Sequence, residues 1–253
     1  MDSIFRRPVV DFVLSAAVVW LSMQIGALVS RRLRPLRDDE RDDLELVISA
    51  GLTLLALIIG FTFSMAVGRY DQRKNYEEEE ANAIGTEYVR ADLLPSDDSA
   101  KVRKLLRLYL DQRLLFYTDR DSRKLQQIDA ETARLQGEMW STVTRVAHAQ
   151  PTPVTALAVA GMNDVLNRQG YTQAAFWNRI PLGAWILMLS ISICCSVLIG
   201  YGARRKGDLL FIVLPVLIAI AFFLIADIDS PRRGTIRVLP QNLISLSNSI
   251  PRQ

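Results

Sequence analysis

Few residues in this 253-residue chain have the types and spacing that bond-making chemistry requires. The one histidine, His148, stands at the polar end of a helical pattern with no second ligand three or four residues away. It therefore reads as a surface side chain and not as a metal ligand or general base. Cys194 and Cys195 are adjacent inside a hydrophobic run, which suits neither a disulfide framework nor a metal clip. Gly51, Gly60 and Gly68 are spaced for close helix packing, not for cradling phosphate. No nucleophile with a base and no clustered ligand set appears, so the expectation is no catalytic residue, no metal, no cofactor and no enzymatic activity.

What remains is a pattern suited to ions. In the second apolar block Thr53, Gly60, Ser64 and Asp71 share one face if the block is helical, and the same segment runs on through Arg69, Arg73 and Lys74 into Glu77 to Glu80. Arg73 with Glu77 and Lys74 with Glu78 are opposite charges at i,i+4, as on a solvated helix. Two readings of the acidic run stand side by side: a solvated helix face, or, if several copies assemble, an acidic ring at a pore mouth.

The elements that carry these residues follow from the hydrophobic pattern. Apolar residues make up 50% of the chain and charged residues 23%, but the two are segregated, as when parts of a chain face different solvents. Four blocks, 12–30, 46–67, 180–203 and 209–226, are long enough to cross a bilayer; the second reaches roughly 33 Å as a helix against a hydrocarbon core of about 30 Å. The first block is followed by Arg31, Arg32, Arg34 and Arg37 where a leader peptidase would need small neutral residues, so it reads as a retained span. Pro181 suits a helix start and Pro215 falls inside the fourth block.

Basic residues flank the spans on both faces. The short turns hold Arg31, Arg32, Arg34, Arg37 and Arg41, and Arg204, Arg205 and Lys206, while Arg6, Arg7, Arg69, Arg73, Lys74, Arg168, Arg179, Arg232, Arg233 and Arg237 lie on the other side. The count assigns no side to the polar domain. The formal net charge of +3 comes without an aromatic-interleaved basic patch, so nucleic acid is not an expected partner; the bilayer is.

Between the second and third spans the chain is polar and helical. No breaker interrupts 46–88 apart from isolated glycines, so the second span should continue as one long helix to Leu94, Pro95 and Ser96. Val102, Leu105, Leu106, Tyr109, Arg113 and Phe116 repeat helically, as do Leu125, Ile128, Thr132, Leu135, Met139, Val143 and Val146. Gln150 to Pro153 breaks the chain, 154–167 makes another helix, and 171–180 leads back to the membrane. The expected fold is all-α: transmembrane pairs in 1–67 and 180–226, a helical extramembrane domain over 68–179 and a polar tail over 227–253.

Three stretches resemble a family of bacterial membrane proteins called bestrophin-like. They are Gly60 to Tyr70, reading GFTFSMAVGRY, Glu80 to Pro95, reading EANAIGTEYVRADLLP, and the closing Asp227-Ile228-Asp229-Ser230-Pro231-Arg232-Arg233-Gly234. The order of spans agrees along nearly the whole chain. A looser resemblance links this family to the bestrophins themselves, whose second span carries a Gly-Phe pair with an arginine and an aromatic nine and ten positions after the glycine, like Gly60, Phe61, Arg69 and Tyr70 here.

Bestrophins are pentameric ion channels with a neck of bulky apolar side chains at i, i+4 and i+8. The resemblance places Thr53, Leu57 and Phe61 at those positions, and Thr53 departs from the apolar pattern, which implies a wider or wetter end to such a neck. It thus implies an oligomer, with five copies as the family's number, conducting inorganic ions through a bacterial inner membrane. Thr53, Leu57, Phe61 and Ser64 would line the pore, and Arg69, Asp71, Glu77 and Glu78 would set the charge at its mouth. The closing acidic motif is too unlike the bestrophin calcium clasp for a metal site to be carried over. The competing class is a membrane-anchored interaction or regulatory protein that does not conduct; Leu57 and Phe61 would then pack against neighbouring spans and Arg69 would reach for headgroups.

Overall fold

The computed structural model describes residues 8–32, 37–203 and 210–251. Arg6, Arg7, Arg34 and the basic turn Arg204, Arg205 and Lys206 lie outside the described residues. Among those described, no strand occurs. The elements are α1 (Pro8–Arg32), α2 (Asp38–Arg90), a 3-10 turn (Ala91–Leu93), α3 (Ser96–Thr118), α4 (Ser122–Ala149), α5 (Pro153–Trp177), α6 (Leu182–Gly202), α7 (Leu210–Asp229) and α8 (Gln241–Ser249).

Among the described residues four helices are long and apolar enough to cross a membrane: Phe12–Arg32, Glu40–Leu93, Pro153–Gly202 and Phe211–Asp229. α2 is one unbroken helix of 53 residues, as the missing breakers required. Gly170 does not end α5, which runs on to Trp177, so the expected interruption near 167–171 does not occur. Its start is fixed by a capping box: the Thr152 hydroxyl accepts from the Thr155 amide at 3.1 Å, and Thr155 Oγ1 accepts in return from the Thr152 amide.

The chain divides into two compact units, Met1–Arg69 with Arg179–Arg237, and Tyr70–Asn178 with Val238–Gln253; α2 contributes to both. In the first unit α1 packs against α6 and α7. The α1–α6 approach rests on glycine. A Cβ on Gly26 would strike the Val197 carbonyl oxygen and sit 2.8 Å from the Tyr201 nitrogen, and one on Gly200 would strike the Met23 carbonyl. With Ser22 four residues before Gly26 and Ser196 four before Gly200, both helices offer small residues where their backbones meet. Met23, Ile199 and Phe211 pack together, with Ile48, Leu52 and Leu214 against them. Hydroxyls within the spans bond back along their own helices: Ser22 to the Val18 carbonyl at 2.8 Å, Thr62 to Ile58 at 2.8 Å and Ser192 to Met188 at 2.7 Å. Their donors are satisfied without water.

The second unit is a helical core in which Leu106, Tyr109, Phe116, Leu135, Met139 and Met162 are fully buried. The expected apolar registers of α3 and α4 are the ones that face inward. The stretch expected as a polar tail is built otherwise. Its first part closes on the end of α7, while Val238, Leu243 and Ile250, on and around α8, join the second unit's core.

Candidate functional site

In the first unit the residues expected to line a pore stand on the exposed side of α2. Thr53, Gly60 and Ser64 are exposed, as are Leu57 at 53% and Phe61 at 63%. Leu55, Thr62 and Ala66, about half a helical turn away, are buried at 3%, 2% and 0%. Thr53 Oγ1 donates to the Ser49 carbonyl at 2.8 Å, which leaves its lone pairs facing outward as acceptors. Of the four apolar windows, that of α2 is only 11% buried within the chain, against 28%, 28% and 50% for the others. Gly60 has open space where a Cβ would point.

Arg69 is partly exposed. In the second unit Asp71 and Glu78 are exposed, whereas the acidic run they frame is split in its directions. Glu77 and Glu80 are buried at 1% and 0%. The expectation that Glu77 faces water at a pore mouth is thereby corrected, and so is the solvated-face reading for half of the run. Glu77 accepts from the Leu243 amide at 3.0 Å and the Asn242 side-chain amide at 2.7 Å, and so anchors the first turn of α8. Those donors are orphans at any helix start, which is why a carboxylate suits the position.

Glu80 forms a buried ion pair with Arg113 and also accepts from Thr172 Oγ1 at 3.1 Å and the Tyr117 hydroxyl at 3.4 Å. Arg113 lies over the Phe116 ring, 4.2 Å from its centroid. Burial pushes the Tyr117 and Tyr109 hydroxyls above the ordinary tyrosine range, and the Glu80 charge pushes them further, so neither ionises in the physiological range. Glu79 pairs with Arg168 at 2.6 Å.

The closing acidic motif is a turn built on carboxylates. Asp227 accepts from the Thr235 amide, the Thr235 hydroxyl and the Ile236 amide, each at 2.8 Å. Asp229 accepts from the Ile180 amide at 3.2 Å, and Arg179 donates to the Asp229 carbonyl. Gly234 is required where it stands, because a Cβ would strike the Asp227 carbonyl oxygen. Among the described residues no group of three or more His, Cys, Asp or Glu side chains could hold a metal ion.

α2 is thus a long helix whose apolar window the rest of the chain hardly covers. The family model for the bestrophin-like domain matches residues 16–243. The chain belongs to the bestrophin-like family. Among curated proteins none matches it in sequence. Solved structures of a bacterial bestrophin homologue from Klebsiella pneumoniae share its fold. One point mutant is 13% identical with a TM-score of 0.65, covering 98% of this chain and 100% of that one. A second mutant is 14% identical with a TM-score of 0.62, covering 94% and 99%. A further structure of the homologue is 14% identical with a TM-score of 0.62, covering 96% and 99%. At these identities the likeness is one of fold. Within this bestrophin-like chain the closing Asp227 to Gly234 motif is the turn just described, and the GFTFSMAVGRY motif is the exposed face of α2 together with the buried Thr62 and Ala66 behind it.

Proposed function

We propose that this bestrophin-like protein forms an oligomeric ion-conducting pore in a bacterial inner membrane, with α2 from each copy around the axis. The observation that carries this reading is the face of α2 bearing Thr53, Gly60, Ser64 and Gly68, exposed in a span that the chain itself hardly covers. Hydrocarbon gives no reason for a span to turn small and polar residues outward; close helix packing or water does. The four spans would be used as two pairs, with the helical domain inserted in sequence between them.

Leu57 and Phe61 would make a dewetting constriction, Thr53 a wetter ring one turn away and Ser64 a polar one beyond it. Arg69, Asp71 and Glu78 would set the charge at the mouth, while Glu77 has a structural role and is left out. The resemblance of the second span to that of the bestrophins makes five copies the number to test.

Purified protein in liposomes should pass ions, and Phe61→Ala should raise the conductance or alter its gating. Native mass should give a ring of several copies, five by analogy. A monomer, or an oligomer whose recordings match empty vesicles, would remove the channel and leave a membrane-anchored interaction protein.

A further inference from the structure

Glu87 lies on α2 within one turn of its end and is completely buried. Neither of its carboxyl oxygens has a hydrogen-bond partner. An ionised carboxylate in such a place forfeits its hydration with nothing to replace it, whereas the protonated acid forfeits much less.

The opposing residue on α5 is Gly161. A Cβ there would collide with Glu87 Oε2 and lie 2.6 Å from Arg90 Nη1, so the missing side chain is what lets both groups approach α5. Ala158, Met162 and Val165, on the turns around it, are fully buried. A cleft of about 300 Å³ adjoins the contact, lined in part by Thr86, Arg90, Gly161 and Asp164.

The charges on the surrounding elements act in opposite directions, and both are smaller influences than burial. Arg90, on the same helix, favours the ionised form, and Asp164 on α5 opposes it. Arg168 on α5 is engaged by Glu79, and Arg103 on α3 by Asp92 and the Tyr88 carbonyl. α8, which meets Gly85 through Leu246, has no ionisable side chain. Burial therefore decides, and it pushes the Glu87 carboxyl up to about 8.

We propose that Glu87 is a proton-operated latch on the contact between α2 and α5: neutral, it seats against Gly161, and on losing its proton it turns toward Arg90 and the cleft, loosening α5 around Gly161. The device needs no histidine, because burial moves a carboxyl into the range where histidine ordinarily switches. The sign follows from linkage. The folded state holds a proton that the unfolded chain releases near pH 4.5, so the latch's stabilisation is complete below that, declines as pH rises towards about 8, and is gone above it.

The test uses the full chain in detergent, comparing wild type with Glu87→Gln, a neutral isostere of the latched state. Hydrogen exchange at amides around Gly161, corrected for intrinsic rates, should rise several-fold in the wild type between about pH 6 and pH 9 and stay flat in the variant. Asp164→Asn removes one of the influences holding the proton on and should move the wild-type midpoint to lower pH. Infrared difference spectra should contain a protonated-acid carbonyl band at about pH 6 that vanishes by about pH 9 and is missing from Glu87→Gln. Superimposable exchange profiles for wild type and variant, or absence of the acid band at the lower pH, would overturn the latch.

Discussion

Arg113→Met is expected to destabilise the second unit by about 3–5 kcal/mol, the cost of leaving a buried charge without its counterion. Glu80 is wholly buried, and after the substitution only the Thr172 and Tyr117 hydroxyls would remain to it. Neither carries charge. Glu80→Leu should cost a similar amount, because the Arg113 guanidinium would then be the stranded group. The double variant Glu80→Leu, Arg113→Met should recover most of the loss, since a buried pair replaced by apolar side chains of similar volume is often neutral. Denaturant melts of helical signal on the full chain in detergent would measure all three. A single variant as stable as wild type, or a double variant no better than either single, would contradict this account of the pair.

Arg113 also marks how far the sequence can be read. It falls in the buried register of α3 with Leu106, Tyr109 and Phe116, and a charge in an apolar register calls for a buried partner. The spans and the length of α2 were legible for a similar reason, because unbroken apolar blocks and missing breakers are local signals. Four consecutive glutamates are not. A run of identical residues has no period, so nothing in Glu77 to Glu80 says which two turn inward. The available clue was the wider spacing Arg73, Glu77, Glu80, Ile84, Glu87, Ala91, which continues the helix's inner face and mixes charge with apolar residues. The partner of Glu77 was beyond reach, because Asn242 lies 165 residues away and few apolar residues mark α8 as part of a core. The face of α2 that bears Thr53, Leu57, Phe61 and Ser64 could be drawn from spacing alone. Its exposure could not, because periodicity gives a face but not what covers it.

Gly26→Leu and Gly200→Leu are expected to have the second large effect, on the packing of α1 against α6. Gly26→Ala should already cost toward the upper end of the roughly 1–3 kcal/mol typical of an overpacked methyl, because the new atom meets the Val197 carbonyl oxygen and the Tyr201 nitrogen, which are backbone and cannot change rotamer. Leucine must separate the helices, and with them the contact of Met23 and Ile199. Little hydrophobic force is available in lipid to restore it, because a separated apolar face is solvated by acyl chains as well as by another helix. Gly137→Ala on α4 supplies the control, since no atom lies within 4 Å of its would-be Cβ, and an exposed helical glycine exchanged for alanine gains up to about 1 kcal/mol. Gly60→Ala separates fold from assembly. It too meets nothing in the single chain, so a dissociated monomer should melt at or slightly above wild type, as with Gly137→Ala. In the proposed ring it would lie where copies approach one another, and the change should appear in native mass or conductance. Loss of assembly with an intact monomer melt would place Gly60 at the contact between copies, while unchanged assembly and conductance would take that face away from the pore.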